Sequence, residues 1–241
     1  MTFAILIPAL DEEGPLARVL ADLPCAGDTV PLADGLSMKL ARIVVVDNGS
    51  RDRTAQVARD AGAEVVPEPR RGYGQACLAG LAWLAKSPPD VVVFLDADHS
   101  DDPRELPLVL APIAAGRAQL VIGSRVLGAH EPGAFTPVQA FGNRLSAWLM
   151  KLLWGASFTD LGPFRAIGWE VLMRLRMRDR DYGWTVEMQT RALQQGVEST
   201  EVAVSYRRRR LGRSKVAGTL RGVLGASTKI LFTIARVRLG G

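Results

Sequence analysis

The chain reads as an α/β protein built on a doubly wound, mixed but mostly parallel sheet. Short uninterrupted apolar runs recur at 3–7, 43–46 and 91–95, the pattern of strands buried on both faces. Segments of helical period separate them, with Leu16, Val19, Leu20 and Leu23 sharing one face of the first. Four alternations at this spacing imply right-handed crossovers and parallel strands.

In order, the strand at 3–7 closes at Pro8 and is followed by a loop and a helix to Leu23. The stretch 25–39 loses all periodicity amid glycine, proline and aspartate, so it is expected to be a surface excursion or to hold one extra short element. After the strand at 43–46 come a helix over 54–61, a strand at 65–66, a glycine-bearing loop at 70–75 and a helix over 76–85. The run Val91 to Leu95 leads into Asp96-Ala97-Asp98, and Asp102-Pro103 supplies a helix cap and first-turn proline. A further strand is expected at 120–122. A helix then runs from 136–137 to about Trp154, followed by a turn-rich passage at 158–167 with a short strand and a helix ending near Gln195. The sequence 197–205 has the partial alternation of a sheet edge, and a last helix is expected over 216 to about 237. No repeat or linker divides the chain, so 1–215 is expected to be one domain with 216–241 as a helical tail.

At 48% hydrophobic and 23% charged residues the chain has the composition of a globular protein with a sizeable core. No run of 18 apolar residues exists, and the N-terminus lacks the basic flank of a signal peptide. Cys25 and Cys77 show no metal-like spacing, so they are expected to be reduced, in a cytoplasmic protein. The net charge of +5 conceals an asymmetry: residues 202–241 carry ten Lys and Arg and no acid, leaving the remainder net acidic. That tail points to an anionic partner.

The loops around Asp11 and Glu12, Asp47, Arg71 to Gly74, and Asp96 to Asp98 all leave carboxyl ends of expected parallel strands, where ligands bind in open α/β sheets. Two carboxylates two residues apart can share a hard divalent cation beside a phosphate. The same residues also fit a solvated turn. Carboxylates offer acceptors to ribose hydroxyls and a base edge, and Gly72 and Gly74 permit close backbone approach. The absence of G-x-x-x-x-G-K-[ST] and of G-x-G-x-x-G after the first strand argues against a P-loop NTPase and a dinucleotide-binding unit. His99 adjoins the aspartate pair but is expected to be a bystander. The alternatives are a nucleotidyltransferase, which would want a glycine- and lysine-rich loop after the first strand, and a non-enzymatic basic module on a membrane or nucleic acid; nucleic acid is the less favoured partner.

The motifs I-P-A-L-D-E-E, V-V-D-N-G-S-R-D-R-T, R-G-Y-G-Q-A, F-L-D-A-D-H-S-D-D-P and I-G-S-R, followed by T-D-L-G-P-F-R-A at 159–166 and R-x-G-x-S-K at 210–215, resemble the family 2 glycosyltransferases. The closest resemblance is to the branch of dolichol- and polyprenyl-phosphate sugar synthases. It implies a GT-A fold, a UDP- or GDP-sugar donor, a divalent cation (Mg²⁺ or Mn²⁺) and inversion at the anomeric carbon. Carried over residue by residue, Pro8, Ala9, Leu10 and Glu12 would contact the nucleoside, with Asp47 on the base and Gly72 and Gly74 beside the nucleotide sugar. Asp96 and Asp98 would hold the metal. Ser100 stands where the branch often has an amide side chain, so no third protein ligand is named. Arg213, Ser214 and Lys215 resemble the basic loop that closes over the diphosphate.

For the acceptor, Arg125 and Arg144 resemble the arginines that hold a lipid phosphate, with Asp160 also expected on the acceptor side, whereas Glu187 sits where relatives acting on hydroxyls place a catalytic acid. Leu220, Val223, Leu224, Ile230, Leu231, Ile234 and Val237 share one face of the expected last helix, with Arg221, Lys229 and Arg236 opposite. That arrangement predicts peripheral contact with a membrane surface, at its cytoplasmic face, through 216–238. Trp148 and Trp154 offer an aromatic anchor. A helix packed on a globular core would show the same stripe. No feature of the sequence specifies an oligomeric state.

Overall fold

The computed structural model describes residues 1–134, 137–156, 158–209 and 231–238, with the side chains of 137–141 outside that description. Its centre is β1 (Thr2–Ala9), flanked in parallel by β3 (Ser37–Asp47) and β5 (Val91–Phe94). β4 (Glu64–Pro67) continues the sheet in parallel along the end of β3, and β2 (Thr29–Pro31) pairs antiparallel with its beginning. Beyond β5, β7 (Arg165–Gly168) runs antiparallel between it and β6 (Leu120–Ser124). β8 (Ser199–Ala203) forms the far edge, parallel to β6. The order β2-β3-β1-β5-β7-β6-β8 reverses direction at β1: the chain builds outward through β3 and β4, then crosses back to β5. A crevice opens at such a reversal, at the carboxyl ends of β1, β3 and β5.

The sheet is hydrophobic on both faces because each face is covered. Phe3, Ile5, Ile7, Val45, Val91 and Val93 pack with Leu16, Val19, Val109 and Leu110. Those residues bring α1 (Glu13–Asp22) and α4 (Leu106–Ala114) onto one side, joined there by Ala58 of α2 (Thr54–Asp60). Ala4, Leu6, Val44, Val46, Val92 and Phe94 point the other way. They meet α3 (Tyr73–Leu84), α5 (Pro137–Trp154), α6 (Trp169–Leu175) and α7 (Trp184–Gln194). A helical segment at 231–238 adds Ile234 to this second face. The two-sided demand explains the uninterrupted Val91-Val-Val-Phe94 run, in which every side chain is buried.

The expected order of elements is present, with differences that have physical causes. The 25–39 stretch does hold an extra element: β2, a short 3₁₀ turn at Ala33–Gly35, and the start of β3. That start alternates, with Met38 and Leu40 buried between exposed neighbours, so it lacks the continuous apolar run that marks the rest of β3. Asp102 caps a 3₁₀ turn at Pro103–Glu105, accepting from the Arg104 amide at 3.2 Å, and α4 follows. Helix α6 was not expected. Of the expected last helix only 231–238 is described, so Leu220, Val223, Leu224, Ile230, Arg221 and Lys229 lie outside the described residues. Ile234 and Val237 are buried against the protein, so this part of the apolar stripe faces the core. No helix among the described residues is long and apolar enough to cross a membrane.

Gly80 fixes how closely α3 approaches the sheet. A Cβ there would lie 2.6 Å from Leu6 Cδ1 and 2.9 Å from Val46 Cγ2. Gly80→Ala is therefore expected to cost about 1–3 kcal/mol through overpacking. Gly142→Ala in α5, where a Cβ meets nothing within 4 Å, is expected to be neutral or to stabilise by about 0.4–1 kcal/mol. Thermal melts of the two variants check the pair.

Candidate active site

Three loops meet at the crevice and are bonded into one another. After β1, the Asp11 amide donates to Ser50 Oγ at 3.0 Å, the Glu12 amide to Thr54 Oγ1 at 2.8 Å and the Glu13 amide to Asp52 Oδ2 at 3.1 Å. In return the Arg51 amide donates to Asp11 Oδ1 at 2.7 Å. Asp11 sits at φ 50°, a backbone conformation that aspartate tolerates better than most residues. Pro8 and Ala9 end β1, Leu10 follows, and Asp47 ends β3 with Oδ1 accepting the Ser50 amide at 3.1 Å. The sequence-predicted nucleoside contacts are thus brought together.

Asn48, Glu68 and Tyr73 organise the third loop, and sequence reasoning missed all three. Asn48 is buried, donates to the carbonyls of Glu68 (3.0 Å) and Arg70 (2.7 Å), and accepts the Gly72 amide at 2.9 Å. Glu68 receives Arg70 and Gln75, and its bond to the Arg70 guanidinium is the main cause holding its pKa at about 2. Tyr73 OH donates to Asp96 Oδ1 at 3.0 Å. Each missed residue stood inside or beside a quoted motif, but a structural amide or phenol there leaves no periodic signal.

Gly72 and Gly74 need a correction. At φ 136° Gly72 occupies backbone space open to few other residues, and a Cβ on it would run into the Arg180 carbonyl oxygen. A Cβ on Gly74 would run into the Asp179 carbonyl oxygen. The close approach these glycines permit is therefore to the 179–180 backbone, which the Gln75 amide joins by donating to the Arg180 carbonyl at 2.9 Å.

Asp96 and Asp98 follow β5 at the centre of the crevice. Asp96 is half-buried, and burial together with the Asp98 charge raises its pKa to about 7. Asp98 Oδ1 accepts the Ser100 amide at 2.9 Å, and its Oδ2 lies 3.7 Å from Arg209 Nη1. The same Arg209 bonds Glu12 Oε1. A guanidinium thus spans the β1 and β5 loops, standing where the site calls for positive charge. Arg209 belongs to the basic run singled out from the sequence, although Arg213, Ser214 and Lys215 lie outside the described residues. His99 is a bystander here, its Nε2 lying 2.8 Å from Asp22 Oδ2 of α1.

Asp101 is the outlier. It is 2% exposed, neither carboxylate oxygen has a hydrogen-bond partner among the described residues, and burial drives its pKa well up. Its backbone bridges Tyr206, whose ring lies under the Arg125 guanidinium at 4.8 Å.

The acceptor-side residues Arg125 and Asp160 are joined. Arg125 donates to Asp160 through Nε (2.7 Å), Nη2 (2.8 Å) and its amide (3.0 Å). Burial alone would lower the Arg125 pKa; the Asp160 carboxylate overcomes that and raises it. Asn143 Nδ2 adds a fourth donor to Asp160 at 2.6 Å. Arg144, the next residue on α5, is exposed.

Glu187 is corrected as well. It is fully buried. Oε2 accepts the amides of Arg178 (3.0 Å) and Asp179 (2.7 Å), while Oε1 accepts Arg191 Nε and Arg236 Nη2, both at 3.0 Å. A carboxylate with four donors and no exposure is an anchor, not a base free to take a proton from a hydroxyl. Arg236, expected among the lipid-facing cations, is turned inward to meet it.

Residues 4–215 match the glycosyl transferase family 2. The chain belongs to that family. Among family 2 relatives, an uncharacterised glycosyltransferase of Mycobacterium tuberculosis is 38% identical over 90% of this chain and 91% of its own. The undecaprenyl-phosphate mannosyltransferase of Micrococcus luteus is 29% identical over 93% and 90%. Among solved structures, glucosyl-3-phosphoglycerate synthase of Mycobacterium tuberculosis, in a complex with Mn²⁺ and UDP-glucose, is 26% identical, covers 99% of this chain and 79% of its own, and superposes with a TM-score of 0.71. The GT-A fold and glycosyltransferase activity expected from the sequence are those of the family.

The raised Asp96 pKa gives a pH signature. The folded state holds this proton more tightly than the unfolded chain, so stability is lost as pH rises from the ordinary 3.8 towards about 7. Asp96→Asn removes the effect. Its melting temperature relative to the parent is expected to climb by about 5 °C between pH 5 and 7.5, since a pKa unit is about 1.4 kcal/mol and a chain this size shifts roughly 2–4 °C per kcal/mol. Melts of both proteins across that range measure it.

Proposed function

We propose that the chain is a metal-dependent, inverting hexosyltransferase that moves a sugar from a UDP- or GDP-sugar to a polyprenyl phosphate. The observation carrying the acceptor half is the contrast between Glu187 and α5. The carboxylate expected to activate a hydroxyl is consumed by four donors. Meanwhile Asn143 binds the Arg125–Asp160 pair and the neighbouring Arg144 is exposed. A phosphate acceptor is already ionised and needs cations to hold it, not a base to deprotonate it. The name of the Micrococcus relative supports this class of acceptor.

The donor half rests on the crevice loops, with Pro8, Ala9, Leu10, Glu12 and Asp47 towards the nucleoside and Asp96 and Asp98 towards Mg²⁺ or Mn²⁺. The Mn²⁺ complex of the structural neighbour supports a divalent ion. The donor set fits a hard cation: two carboxylate oxygen groups at a strand end, already drawing in the Arg209 guanidinium. Among the described residues no three His, Cys, Asp or Glu side chains form a metal set, so donor phosphates would complete the coordination. The bound ion would stabilise charge on the departing diphosphate. Arg209 must release Asp98 for this, and Glu12 retains it at the rim. Arg213, Ser214 and Lys215 would close over the diphosphate in a dry site. Exposed Trp148 and Leu152 on α5 and Leu231 and Phe232 at 231–238 would rest on the membrane that carries the lipid.

A hydroxyl acceptor has one specific observation in its favour. Asp101, buried and unpartnered with a raised pKa, has the character of a general base.

Thermal shift against UDP, GDP and their sugars with Mn²⁺ tests the donor, and Asp98→Ala is expected to abolish both the Mn²⁺-dependent shift and transfer while the fold persists. For the acceptor, Arg144→Ala is expected to reduce kcat/KM on polyprenyl phosphate by at least about tenfold, with Asp101→Asn within about threefold. The reverse order, with loss of the acidic limb of the kcat–pH profile in Asp101→Asn, would establish a hydroxyl acceptor. Vesicle flotation with anionic and neutral liposomes reads the membrane contact.

A further inference from the structure

The 231–238 segment lies far along the chain from every crevice loop, yet direct contacts connect it to one of them. Thr233 is fully buried, and a Cβ on Gly183 would lie 2.7 Å from its Oγ1. Arg236 Nη2 donates to Glu187 Oε1 at 3.0 Å, and the other Glu187 oxygen accepts the amides of Arg178 and Asp179. Asp179 tightens the same corner: its Oδ1 accepts the amides of Asp181 (2.8 Å) and Gly183 (3.2 Å). The outer edge of the corner, the carbonyls of Asp179 and Arg180, is the surface against which Gly72 and Gly74 are pressed, and Arg180 accepts the Gln75 amide. Between those glycines Tyr73 reaches Asp96.

We propose that Arg236 is a positioning residue for the nucleotide-sugar site, acting through Glu187 and the 178–181 corner to hold the 72–75 loop and the Tyr73 hydroxyl against Asp96. The donor-site assignment is the one given under Proposed function, and the inference rests on it. The chemistry gives a reason for pairing the buried Glu187 with the half-buried Arg236 at this position. A carboxylate placed under two backbone amides orients them only while its own charge is balanced, and Arg236 supplies half of that balance from the chain's last described segment. Arg191 supplies the other half from within α7. Removing Arg236 leaves Glu187 partly uncompensated, so the bonds that shape the corner, and with them the loop, are expected to loosen.

The test uses the full chain. Hydrogen–deuterium exchange reads the amides of Arg178, Asp179 and Gln75, and calorimetry reads UDP and GDP with Mn²⁺. In Arg236→Gln, exchange at all three amides is expected to quicken at least tenfold. Nucleotide affinity should fall at least fivefold, and the donor KM should rise more than kcat falls. Arg236→Lys should restore affinity to within about threefold. A folded Arg236→Gln with wild-type exchange at Gln75, or with wild-type affinity, overturns the proposal. If that variant does not fold, Arg236→Met, similar in length without the charge, takes its place under the same criteria. Failure of both to fold also overturns it, because the contact then serves the fold as a whole. If the wild type binds neither nucleotide, the donor reading fails, while exchange at Gln75 still decides whether Arg236 controls the loop.

Discussion

Two carboxylates at the end of β5 cannot both stay ionised in a half-buried crevice without positive charge nearby, and much of the surrounding structure answers that constraint. Asp96 responds with a pKa raised to about 7 and a bond from Tyr73. Asp98 responds through the loose contact with Arg209, which also ties Glu12. Because Arg209 comes from the segment following β8, the constraint draws the end of that segment to the crevice.

That arrangement depends on backbone being carried to one place by topology. β1, β3 and β5 deliver three loops to a common edge because the sheet order reverses at β1. Local bonds then convert proximity into shape: the Asp11–Ser50 and Glu12–Thr54 contacts lock the first loop to the second, and Asn48 locks the second to the third. The third loop also leans on the 178–181 corner, so the second helical layer helps to shape the crevice.

The strands that demand burial on both faces were legible in the sequence, since Val91-Val-Val-Phe94 and Ile43-Val-Val-Val46 leave no other economical placement. The crevice followed from them, along with Asp96, Asp98, Glu12 and Asp47. What was illegible depended on tertiary partners. The start of β3 alternates because one side is exposed. Gly72 and Gly74 announce close approach without saying to what, and the partner proves to be the 179–180 backbone. Glu187 was expected as a catalytic acid from resemblance alone, but its environment is decided by Arg191, Arg236 and two amides that no local pattern predicts. Arg125 and Asp160 lie 35 residues apart, and their pairing is a consequence of β7 entering the sheet antiparallel beside β6.

The degree to which each buried acid is satisfied separates framework from chemistry. Asp160 collects the Arg125 fork, Asn143 and the Leu161 amide; Glu68 collects Arg70 and Gln75; Glu187 has its four donors. These carboxylates are completed by the protein alone, and removing a partner from any of them would strand a charge in the interior. Among the described residues Asp96 has one donor, Asp98 one amide and a distant guanidinium, and Asp101 none. Unmet acceptors of this kind are costly unless something else meets them, and all three fall within six residues at the end of a single strand. A fold that completes Asp160, Glu68 and Glu187 in this way leaves a deficit at the end of β5, and the deficit is one of positive charge and hydrogen-bond donors. Under the proposed function a divalent ion bound beside the donor phosphates would supply the charge, and the cationic residues that follow Arg209 in sequence would share that task.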